Sequence, residues 1–220
     1  MHKTLGFKAF ICAGAVILVA DELSESDTQD SLDALLYSQA AATNKITDLT
    51  QVETWTRANK MAMRVTGAML LDNPDANFPV SMPGRFSLLG LARQVLGEWI
   101  PETVASVMDS NVQLRLEQAL AAPAIEELQQ HVVHQDKWVR FMFGVVCPDL
   151  TITVVLIAFE FDEPIVDNVL RHRFNSEKVL GNLYVDGYKA LADPEDYDLS
   201  RATIISLLGE RRHKQIIALD

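Results

Sequence analysis

The chain has 220 residues, with 30 acidic against 19 basic side chains and a formal net charge of −11. That charge removes any general attraction to phosphate backbones or anionic membranes, so sequence-independent nucleic-acid binding is disfavoured. With 49% hydrophobic and 22% charged residues, and only 10 Gly and 8 Pro, the composition excludes long disordered or collagen-like tracts.

Lys3 and Lys8 precede an apolar run from Ala9 to Ala20 that has the length of a signal-peptide core but is too short to span a bilayer. Leu18 occupies the position where cleavage after Ala20 would want a small residue, and Asp21 and Glu22 follow at once. The favoured reading is a β-strand buried on both faces, with a cytoplasmic protein as its corollary; an exported form follows if residues 1–20 are a signal peptide. Cys12 and Cys147 are too few for a disulfide framework, which fits a reducing compartment.

Helical spacing follows. Ser26 and Gln29 are placed as a capping box, Asp27, Asp30 and Asp33 favour a helix N-terminus, and Leu32, Leu35, Leu36 and Ala40 form a buried stripe. Asp48 and Gln51 offer a second box before a longer helix expected to reach about Leu71 through Val52, Trp55, Ala62, Val65 and Met69. Pro74, Pro79 and Pro83 then impose a loop from Asp72 to Gly84 that carries the apolar side chains Phe78, Val80 and Met82. Helical periodicity resumes from Phe86 to Trp99, and Pro101 and Pro123 are each suited to open a further helix.

From Trp138 the character changes. Val139 to Cys147 and Leu150 to Asp162 are β-branched and aromatic runs about a Pro148-Asp149 turn, the pattern of a β-hairpin. Pro164 is expected to start a short helix through Val166, Val169 and Leu170, and Ser176 to cap another reaching about Ala192. Asp193 to Asp196 reads as a solvated turn, and the C-terminal segment, with Ile204, Ile205, Leu208, Ile216 and Leu219 on one broad face, is assigned to helix. The sum is a single α+β domain over residues 1–220. Its small, mostly antiparallel sheet, built of the N-terminal strand and the central hairpin, is expected under a cover of about six to eight helices.

Chemistry-bearing patterns are sparse. Glu127, His131 and His134 stand at i, i+4 and i+7, a stripe that could meet a divalent cation and support hydrolysis, although HVVHQD lacks the HExxH base. An ordinary Glu127–His131 pair explains the same spacing. Glu160 and Asp162 share a face at a strand end, where charges are common. Both cysteines lie in apolar runs, where burial suppresses the thiolate. Arg57, Lys60 and Arg64 fall on one helix face, and Arg211-Arg212-His213-Lys214 form a cluster for which pairing with the abundant acids is the simplest account.

The functional expectation is therefore a protein-interaction or assembly factor, adaptor or chaperone-like, with no cofactor and no transmembrane segment. It acts on a protein partner or a second copy through Met61, Met63, Phe78, Val80 and Met82. The alternatives are a metal-dependent hydrolase on Glu127, His131 and His134 and a binder of a hydrophobic, lipid-like ligand.

Overall fold

A computed structural model describes residues 6–72, 84–97, 99–100, 122–165 and 168–219. The opening apolar run is a hairpin, not one strand: β1 (Phe7–Cys12) turns at Ala13-Gly14 into β2 (Ala15–Ala20). Ala13 takes a left-handed φ of 50°, a conformation usual for glycine or asparagine, and Gly14 beside it is the one turn-forming residue within the apolar run. The turn is held from outside: Ala13 N donates to Gln215 O at 2.8 Å and Gly14 N to Gln39 Oε1 at 3.1 Å.

Helix α1 (Glu25–Lys45) starts at Ser24, whose Oγ accepts from Asp27 N, two residues before the expected cap. Helix α2 (Val52–Val65) stops well before Leu71 because Thr66 and Gly67, at φ 86°, break it, and β3 (Met69–Asp72) follows. After β4 (Arg85–Phe86) come α3 (Leu88–Leu96), capped by Ser87, and α4 (Ala122–Val132). The expected hairpin is present as β6 (Trp138–Val146) and β7 (Thr151–Phe161), preceded by the two-residue β5 (Val133–His134). Beyond β8 (Phe174–Asn175), residues expected as helix form β9 (Val179–Leu191), the longest strand described. The chain closes with α5 (Pro194–Leu208), α6 (Arg211–Gln215) and β10 (Ile216–Leu219).

The expectation of a small, mostly antiparallel sheet is overturned. Eight strands join in one mixed sheet of order β10-β1-β2-β6-β7-β9-β3, with β5 added beside β6, and β2 runs parallel to β6. Six α-helices are found among the described residues. The helix expected from Ser176 fails because Ser176 begins only a short 3-10 turn, while Val179, Tyr184, Val185 and Tyr188 suit a pleated surface. Gly187 also demands an extended partner: a Cβ there would stand 2.4 Å from both Val154 O and a Trp99 ring carbon. Of the helix expected from Pro164, Val166 lies outside the described residues, and Leu170, Arg171 and His172 turn on Asn168. The Asp193 cluster is not a free turn, since its carboxylate accepts from Glu195 N and Asp196 N and caps α5.

Strand alternation separates two cores. Val16, Leu18, Phe141, Phe143, Val155 and Ile157 face α3 and α4, while Ile17, Val19, Met142, Val154 and Leu156 face α1, α2 and α5. A strand buried on both faces explains the continuous apolar run of β2, whose six residues are all buried. Each fully buried Leu, Ile or Val contributes about 1.5–3 kcal/mol against exposure. Among the described residues no helix is long and apolar enough to cross a membrane.

Candidate functional site

Where the β1–β2 turn meets the start of β6, a pocket of about 160 Å³ opens on the α1/α2 side of the sheet. Gln39 of α1, itself buried, builds its floor: its amide receives Gly14 N–H and donates to Cys12 O at 3.0 Å, fixing both sides of the turn. Thr43 and Asn44 continue the wall one turn on, α2 adds Trp55, α4 adds His131, and α6 adds Arg211 and Gln215.

Arg140 is the unusual member. Its register on β6 matches that of Met142 and Val146, so the pleat points it toward the apolar face under α1 and α2. Its guanidinium carbon lies 4.3 Å from the ring centroid of Trp55, a side chain only 3% exposed whose indole N–H donates to Thr43 Oγ1 at 3.1 Å. The cation therefore rests on a locked aromatic platform. Among the described residues it has no carboxylate and no hydrogen-bond acceptor. Burial pulls its pKa down to about 10, which still leaves it charged at neutral pH.

Among the described residues none that lines the pocket is acidic, in a chain of net charge −11. Glu127 stands behind the wall: its Oε1 and Gln215 Nε2 each lie 2.9 Å from His131 Nε2. One ring nitrogen cannot serve both at once. Protonated, it donates to Glu127; unprotonated, it accepts from Gln215.

The Glu-His-His stripe is thus split. Glu127 and His131 form the i, i+4 pair, but α4 ends at Val132 and His134 passes into β5. Burial lowers the His134 pKa to about 4, with the nearby Arg140 charge acting in the same direction, and its Nε2 is buried without a partner. Among the described residues no group of three His, Cys, Asp or Glu is placed to hold a metal ion.

The expected contact residues also separate. Met61 is 55% exposed on α2, whereas Met63 is fully buried in the core; Phe78, Val80 and Met82 lie outside the described residues. The outer stripe of α2 contains Arg57, Met61, Arg64 and Val65, all exposed, and among the described residues neither arginine has an ion-pair partner. Lys60 instead turns inward and donates to the buried carboxylate of Asp186 at 2.8 Å. Beside this helix, β3 is an outer strand of the sheet with Met69 and Leu71 exposed.

Sequence reasoning missed Arg140, although a signal was present. A strand apolar on both faces has no solvent side for a lone arginine, so its parity with Met142 and Val146 marks it as inward. No protein-family model matches the chain, nor does any curated protein or solved structure.

Proposed function

We propose that this protein acts through protein contacts, receiving an acidic, amphipathic segment of a partner on the outer stripe of α2 beside the β3 edge. The carrying observation is the 55% and 60% exposure of Met61 and Val65 between two arginines with no ion-pair partner among the described residues. Exposed apolar side chains at helical spacing anchor a partner helix or strand, and the flanking cations select for acid. A two-fold contact between copies would set Arg57 and Arg64 against their own equivalents, which favours a separate acidic partner over such a dimer. Edge strand β3, with Met69 and Leu71 exposed, extends the same surface.

A photo-crosslinking amino acid at Met61, compared with one at Leu207 on α5, tests the surface in the cell. The expected result is a specific adduct at position 61 whose purified partner binds directly. Met61→Asp/Val65→Asp weakens that binding at least about tenfold without lowering Tm, and Arg57→Glu/Arg64→Glu abolishes its salt dependence. Equal labelling at both positions, or an adduct consisting of two copies of this chain, contradicts the reading.

A further inference from the structure

The Arg140 pocket is independent of that surface and has its own chemistry. Arg140 is half-buried, and drawing a guanidinium partly out of water costs free energy that folds normally relieve with a carboxylate. Among the described residues no carboxylate reaches it. The abundant acids of α1 and α5 are engaged elsewhere: Asp30 holds Arg201, Asp198 holds the same guanidinium, and Asp33 holds Arg212. The pocket wall receives amides, a hydroxyl and a second arginine.

We infer that this pocket is a binding site for a small oxyanion, a phosphate group or a short carboxylate, gripped by Arg140 on its Trp55 platform and by Arg211 at the rim. A planar guanidinium matches both anions through paired N–H donors. Thr43, Asn44 and Gln215 offer the neutral polar groups that fix orientation, the Gln39 amide being engaged by the turn and by Leu35 O. The volume of about 160 Å³ has room for phosphate or an acid of a few carbons. The Asp33–Arg212 contact places α6, so that Arg211 and Gln215 reach the pocket from one rigid turn.

The test is titration of the full chain with sodium phosphate and, separately, with sodium acetate and succinate, at constant ionic strength with chloride as control. Thermal shift and isothermal calorimetry supply the readouts. The expected result is saturable stabilisation by at least one of these anions; the one that binds identifies the group as phosphate or carboxylate. Arg140→Met should abolish this response without lowering Tm in anion-free buffer, because it removes a half-buried charge that has no counter-ion among the described residues. Arg211→Ala, at an exposed position, keeps the fold and weakens binding about tenfold. No saturable response to any of the three anions overturns the inference, as does an equal response in Arg140→Met or a fall in the Tm of that variant.

Discussion

Arg212→Met removes the guanidinium whose Nε lies 3.0 and 2.8 Å from the two oxygens of Asp33, a carboxylate with no solvent exposure. Deleting one member of a buried ion pair costs about 3–5 kcal/mol, because the other charge is left uncompensated. Asp33 keeps one hydrogen bond, from Gln29 Nε2 at 2.9 Å, so the lower end, about 3 kcal/mol, is expected. For a chain of this size, at about 2–4 °C per kcal/mol, Tm should fall by about 6–12 °C at pH 7. Burial already holds the Asp33 carboxyl above the usual carboxylate range, with Gln29 and Arg212 pulling it back. Without Arg212 it rises further. A carboxyl raised in the folded state binds its proton more readily there than in the unfolded chain, so the penalty is complete at neutral pH and shrinks as pH falls through that raised value. Urea unfolding followed by circular dichroism at pH 7 and at steps down to pH 4.5 measures this, and Asp33→Asn in the same background should recover most of the loss. A cost below about 1 kcal/mol, or one that does not change with pH, would mean that Arg212 does not neutralise a buried Asp33 carboxylate.

Further outcomes follow from single sites. Gly187→Ala drives a Cβ to within 2.4 Å of backbone Val154 O and is expected to cost about 3 kcal/mol or more in denaturant unfolding. His134, with its pKa lowered to about 4, stays neutral in the fold well below pH 6.5. Its contribution is present above the ordinary histidine range and is lost as pH falls from 6.5 toward 4, and its ring resonances in an NMR titration should not move above pH 5. Cys12 is fully buried and burial pushes its thiol well up, so iodoacetamide at pH 8 should label it only when the protein is unfolded. Leu199 is 87% exposed on α5, and Leu199→Asp should change stability by no more than about 0.5 kcal/mol.

The parts of the fold legible in the sequence are those whose local signals agree with their packing. The β6–β7 hairpin follows from β-branched runs about Pro148-Asp149, α1 from an apolar stripe behind a serine near its start, and α3 from helical periodicity. The N-terminal hairpin is marked in the apolar run only by Gly14, since Ala13 takes the left-handed conformation and the stabilising partners Gln39 and Gln215 are distant in the chain. β3 and β9 are hidden for a related reason. Met69 continues the period of α2 past the break at Gly67, and Leu180, Tyr184 and Tyr188 mimic an i, i+4 ridge while pairing with β7. Losing these strands turns an eight-stranded sheet into a small one.

The site was legible only in fragments. The Glu127–His131 spacing does yield a contact, and Arg212 in the basic cluster does pair with an acid, as charge pairing suggested. Convergence of α1, α2, α4, α6 and β6 on Arg140 is a property of the three-dimensional fold, which brings Gln39, Trp55 and Gln215 together.

A crystal structure of the intact protein grown or soaked in phosphate addresses the oxyanion site most directly. Density for one anion within about 2.7–3.2 Å of the Arg140 guanidinium, with the indole of Trp55 still beneath it, is the expected result. A guanidinium paired instead with a carboxylate of the protein itself would contradict the account.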